Sequence, residues 1–129
     1  MEDLSGIVSA SIGLLFLSGV LHFIKAATKS GTLDRNSAIG IRTRTTTSSD
    51  AAWEAGHHAA GPWLLGGALT GYFIALLSAA LTVFGALSGT LGPAALLVPG
   101  SGFLAVCVLL VVATSVANRS GSEAETNRQ

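Results

Sequence analysis

Apolar and polar positions alternate along this chain in blocks rather than residue by residue. Three long apolar runs stand out: Gly6 to Ile24, about Trp63 to Leu87, and about Ala94 to Ala117. Each is close to or above the roughly twenty residues that carry a helix across bilayer hydrocarbon. Between the second and third lies Ser88-Gly-Thr-Leu-Gly-Pro93, a turn so short that it predicts an antiparallel helical hairpin. Pro99-Gly100 falls early in the third run, and predicts a kink there or a helix start delayed to near Ser101. The pattern therefore predicts an all-α integral membrane protein. It has three transmembrane helices (about 6–24, 63–87 and 94–117), and a cytoplasmic loop with a short amphipathic or interfacial helix between the first two. Residues 1–118 make a single membrane domain. The polar tail 119–129 lacks apolar periodicity and is expected to be disordered.

Composition strengthens this picture. Hydrophobic residues make up 50% of the 129 and charged ones 11%, where soluble domains carry roughly 25%. From Ala59 to Asn118 there is no Asp, Glu, Lys, Arg or His. A water-facing globule needs charge on its surface, whereas a charge at the bilayer centre costs about 2.5–3.5 kcal/mol. The first run opens on Glu2-Asp3 and carries its positive charge afterwards, at Lys25 and Lys29. That order is the reverse of a secretory signal, so the run reads as a retained helix.

Charge placement also predicts orientation. Lys25, Lys29, Arg35, Arg42 and Arg44 lie between the first two runs, and Arg119 and Arg128 in the tail. The positive-inside rule then puts loop and tail in the cytoplasm and the acidic N-terminus outside. Seven basic residues balance seven acidic ones, which gives no ground for expecting nucleic acid. The lone Cys107 sits in a Val/Leu run and reads as a small hydrophobe.

Membrane helices associate where small residues let backbones approach. Gly67, Gly71, Ala75 and Ala79 recur every four residues on the second helix, and Ser5, Ser9 and Gly13 on the first. The second-helix stripe is expected to be a helix contact, either within the chain or between copies in a homo-oligomer.

The loop holds the polar information. Gly40 suggests a turn or a close backbone approach. Arg42-Thr43-Arg44 puts guanidiniums beside several hydroxyls, and Ser48-Ser49-Asp50 offers capping oxygens for a helix starting near Asp50. On that helix Trp53 and His57 share a face, and Gly61-Pro62 ends it or bends it into the second span. Basic residues beside a membrane also serve topology and lipid phosphate, and tryptophans serve as interfacial anchors. His57-His58 point about 100° apart and lack a third ligand, so no metal site is expected, and no cofactor.

Taken together, Asn36, Gly40-Ile-Arg-Thr43, Thr46, Ser49, Trp53 and His57 resemble the signature of the SdpI family, in order and at the expected spacing. These are small bacterial multi-pass proteins of the plasma membrane, named after an immunity protein against a secreted toxic peptide. The resemblance covers about Asn36 to Gly61 by motif and the two following spans by layout. It implies a non-enzymatic membrane protein acting in toxin immunity or signalling through its cytoplasmic loop, with the signature residues binding a partner or a lipid headgroup. The founding member is longer, with six spans. In physical terms Arg42 suits bidentate bonds to a phosphate, a carboxylate or helix carbonyls, and Trp53 suits stacking on it. A structural clamp, a headgroup cup and a partner site all satisfy that chemistry. The other expected role is an accessory subunit of a larger membrane complex, a transporter or respiratory assembly. Membrane lipids, such a complex or a toxic peptide are the expected partners. Catalysis would need a nucleophile, a metal or an acid–base pair, and the loop offers only Asp34, Asp50 and Glu54 as acids.

Overall fold

The computed structural model describes residues Glu2–Arg128. It contains three α-helices: α1 (Glu2–Ser30), α2 (Asp50–Ser88) and α3 (Leu97–Arg128), with a 3-10 turn, Pro93–Leu96, leading into the last. All three are long and apolar enough to cross a membrane. At 1.5 Å per residue, the 39 residues of α2 reach about 58 Å, nearly twice the hydrocarbon thickness. Its first three turns therefore project beyond the bilayer.

The segment 51–60 is thus not a separate interfacial helix but the beginning of α2. Gly61-Pro62 neither ends nor interrupts it. Pro62 withholds one backbone donor, which releases the carbonyl of His58. Both residues are exposed at the boundary of the charge-free run, where water can take up that carbonyl. Pro99 is similarly harmless: it lies in the first turn of α3, where backbone N–H groups have no helical partner anyway, so the helix starts before it, at Leu97.

Helix α2 is the spine. It packs along both α1 and α3, which scarcely meet each other. The core runs down this spine through Leu14, Leu21, Leu64, Ala68, Ala75, Val106 and Ala113. Gly67, Gly71 and Ala75 are buried and face α1, so the small-residue stripe is a contact within the chain, while Ala79 is exposed. A Cβ on Gly67 would lie 3.0 Å from Leu21 Cδ1, and one on Gly71 would collide with Ser18 Oγ. On α3 the equivalent point is Gly102, where a Cβ would meet Leu14 Cδ2 at 2.6 Å and Ile74 Cγ2 at 2.7 Å. Ser5 and Ser9 of α1 are exposed, whereas Ser11 and Ser18 are buried. Ser11 and Ser78 share a hydrogen bond of 2.9 Å across the α1–α2 seam.

The chain 119–128, expected to be disordered, is instead the end of α3. Arg119 pairs with Glu123 and Arg128 with Glu125, each at 3.2 Å and at helical spacing. The stronger reason is tertiary. Gly121 is buried against Ala52, whose carbonyl would stand 3.2 Å from a Cβ there, and Ser49 donates a hydrogen bond to Glu125. Docking on the start of α2 supplies what propensity alone does not.

Candidate functional site

The nineteen residues between Ser30 and Asp50 fold into a strap across one end of the bundle. Gly31, at φ 76°, ends α1. A tight turn follows, in which Ser37 N–H donates to the Asp34 carbonyl and Asn36 N–H to Asp34 Oδ1. The strap then dives inward: Ile41 is buried in the core beside Leu21, Ile24, Ala60 and Leu64.

Gly40 makes that dive feasible. Its φ of 132° is one that L side chains rarely adopt, and a Cβ would lie 2.8 Å from Trp53 Cη2 and 3.0 Å from His57 Nε2. Immediately after it, Ile41 N–H donates to His57 Nε2 at 2.9 Å. An acceptor role for Nε2 places the imidazole proton on Nδ1, which donates to the Trp53 carbonyl at 2.9 Å. His57 is therefore held as one neutral tautomer, bridging strap and helix. It lies in the projecting part of α2, 1% exposed. Burial pushes its pKa below the ordinary 6.5, the bond to the Trp53 carbonyl opposes this, and neighbouring His58 adds to it.

Trp53 is also inside, 3% exposed, with its indole N–H donating to the Leu33 carbonyl at 3.1 Å. Its ring packs against that of His57, centroids 4.1 Å apart. Arg42 sits over the indole at 5.7 Å, and its NH1 donates to the carbonyls of Arg35 and Ser37. Arg42 as a whole remains exposed.

The threonines close the strap. Thr46, fully buried, donates to the Ile41 carbonyl at 2.7 Å and accepts from Thr43 N–H at 2.9 Å. Thr43 in turn donates to Asn118 of α3. Ser49 caps α2 by accepting from Ala52 N–H at 3.0 Å, as its place in the sequence suggests. Through its hydroxyl proton it also holds Glu125, whose carboxyl it keeps below the usual range.

Seven of the eight residues singled out from the sequence, Gly40, Arg42, Thr43, Thr46, Ser49, Trp53 and His57, thus belong to one connected structure. Asn36 does not: it is exposed in the outer turn, and only its backbone takes part. Sequence reasoning missed Asn118, Glu125 and Gly56. A Cβ on Gly56 would lie 2.8 Å from the Ala117 carbonyl, which makes it the point where α3 meets the projecting part of α2. The available signals were an asparagine closing an apolar run, and acids and bases at helical spacing in the tail.

Beside the strap lies a polar cavity of about 380 Å³, lined by Lys29, Asp34, Arg35, Asp50, Glu54 and His58, with Trp53 and His57 as its back wall. Arg35 pairs with Asp50 at 3.1 Å, and His58 approaches Glu54 at 4.0 Å.

The model of the SdpI/YfhL protein family matches residues 32–117, which include all of the strap but Gly31, all of α2, and α3 as far as its last buried alanine. The chain belongs to the SdpI/YfhL family. No curated protein and no solved structure matches it. The family match and the three apolar helices together make this a multi-pass membrane protein of the SdpI type.

Proposed function

We propose that this SdpI-type protein is non-enzymatic and acts in toxin immunity or signalling by presenting the strap as a rigid recognition surface. In this reading the strap and the end of α3 face the cytoplasm, where the positive-inside rule places their basic residues, and the N-terminus is outside. One observation carries the proposal. Both nitrogens of His57 are spent on holding the strap, so the best-placed general base of the region has neither a free lone pair nor a free proton. What remains at the surface is the outer edge of Arg42 and the charged rim of the cavity, groups suited to binding a carboxylate or phosphate.

The buried state of Trp53 decides which substitution is informative. Trp53→Ala removes a core side chain and the bond to Leu33, and so tests folding. Arg44→Ala acts at the exposed face, and Arg42→Ala acts there and on the carbonyls of Arg35 and Ser37. The test is expression of each variant in the bacterial plasma membrane with a challenge by membrane-active peptides, alongside purification of the tagged chain in mild detergent. The expected result is normal abundance and insertion with loss of protection or of a bound partner. Unchanged protection and partner content in both variants would sink the reading. An apolar groove of about 420 Å³ between the other halves of α1 and α2, floored by Ala75 and Ala79, favours a second role as accessory subunit. In the same purification, a stoichiometric larger membrane partner would move the assignment there.

A further inference from the structure

The strap does not stop at the aqueous boundary. Ile39 and Ile41 flank Gly40 and go to opposite sides: Ile41 enters the core, while Ile39 stays 44% exposed. The surface on which Ile39 opens is an apolar concavity of about 360 Å³, shared with Phe16, Gly19, Val20 and Phe23 of α1. Those α1 residues belong to the membrane-spanning run. Phe16 is 75% and Phe23 55% exposed, which in this setting is exposure to lipid. Phe23 lies two residues, about 3 Å of helix rise, inside Lys25, the first basic residue after the span. Ile39 is thus continuous with the lipid-facing surface, at the depth where acyl chains begin.

Arg42 stands three residues further along. Its NH1 is committed to strap carbonyls, its ring partner is Trp53, and the residue as a whole is exposed. A cation held by the carbonyls of Arg35 and Ser37, in the same turn of strap that carries the apolar Ile39, has a charge complementary to a phosphodiester above its acyl chains.

We propose that Ser37–Arg42 is a phospholipid-docking element: Ile39 enters the acyl layer beside Phe23, and the free edge of Arg42 binds the lipid phosphate. The element would ride on the bilayer as a half-turn wedge, anchored on its other side by Ile41 and His57. Both proposals use Arg42, but the depth of Ile39 bears on this one alone and Arg44→Ala on the other, so the two fail separately.

The experiment uses the full chain with Cys107→Ala, carrying a nitroxide on Ile39→Cys, Phe23→Cys or Ser48→Cys, reconstituted in phosphatidylcholine–phosphatidylglycerol bilayers. Collision rates with oxygen and with a water-soluble nickel chelate report depth. The expected result is an oxygen-dominated Ile39 label matching that at Phe23, with a chelate-dominated Ser48 label. An Ile39 label as open to the chelate as Ser48 would overturn the proposal. A second measurement needs no label on the strap. Spin-labelled phosphatidylglycerol should associate with the unaltered chain in preference to phosphatidylcholine, and Arg42→Gln should bring that preference to parity. A preference unchanged by Arg42→Gln removes the phosphate contact.

Discussion

Within the bilayer the helices of this protein meet mainly where side chains are missing, with a hydrogen bond between Ser11 and Ser78 across one seam; beyond it, close approaches at Gly56 and Gly121 are joined by a network of hydrogen bonds. In the first region Gly67, Gly71 and Gly102 admit Leu21, Ser18 and Leu14, and most hydroxyls turn back on their own helix, as Ser18 does to the Leu14 carbonyl and Thr82 to the Ser78 carbonyl. In the second, His57, Thr46 and Thr43 each bond across elements or along the strap, and Asn118 and Glu125 of α3 complete the set. The difference follows from the solvent. Lipid is as apolar as leucine, so embedded helices are held by close fit and their hydroxyls pair at once, most simply with their own helix, whereas the irregular strap has no helical ladder and its buried donors and acceptors pair across elements. No buried side-chain polar atom among the described residues lacks one. The embedded part should therefore yield to volume changes that a second change can repair. The strap should yield to loss of a single group.

Gly40→Ala should have the largest effect. It combines a left-handed backbone with a clash against Trp53 and His57, and strained backbone positions of this kind cost about 1–3 kcal/mol before any clash is counted. Hydrogen exchange should show the amides of 41–49 losing protection, while the buried turns of α2 within the membrane keep theirs. Gly71→Ala should cost about 1–3 kcal/mol by overpacking against Ser18, read as loss of stability in detergent unfolding. Adding Ser18→Ala should restore much of it. Failure of that rescue would mean the embedded seam is as geometrically particular as the strap.

Acidification should act on the strap through His57. Protonated His57 carries a hydrogen on Nε2, facing the Ile41 N–H, so the bond of about 1 kcal/mol is lost and two donors oppose each other. Because burial lowers the folded pKa below 6.5, the contribution is complete above 6.5 and is lost as pH falls from there through the lowered value. Followed from pH 7.5 downwards, Ile41 should lose protection in wild type once the slowing of intrinsic exchange at lower pH is divided out. His57→Phe should be loosened at every pH and lack the step. Ser49→Ala should cost about 1 kcal/mol through the lost cap, with faster exchange at Ala52 and, through Glu125, in the last turns of α3. Smallest is Gly66→Ala, where a Cβ meets nothing within 4 Å and the change should stay within about 0.5 kcal/mol. A large loss there would break the contrast from the embedded side.

The spans, the hairpin at 88–93, the Ser49 cap and the helix-contact role of Gly67 and Gly71 were legible in the chain, because each follows from local periodicity or from a cap or turn residue. The fate of 51–60 was not. Gly61-Pro62 reads equally as a stop or a bend, whereas the helix continues through it with Gly61 packed on Lys25 and Gly56 on Ala117, contacts that no local pattern shows. The tail misled for the same reason: its polarity speaks of solvent, while Gly121 against Ala52 is a contact seventy residues distant in sequence. Of the strap, residue types could be picked out but not their assignments. That Gly40 admits Trp53 and His57, and that Asn36 stays outside, depends on the dive of Ile41 into a core assembled from two helices.

α1 and α3 meet each other far less than either meets α2, at points such as Leu14 on Gly102, and the strap is a further tie between all three, leaving α1 at Gly31, pinned to α2 at His57 and to α3 at Asn118. A bilayer that thickens or thins changes helix tilt, and any change of angle between α1 and α3 must be taken up along those nineteen residues. In mechanical terms the strap is the string across a bow whose limbs are set by the membrane.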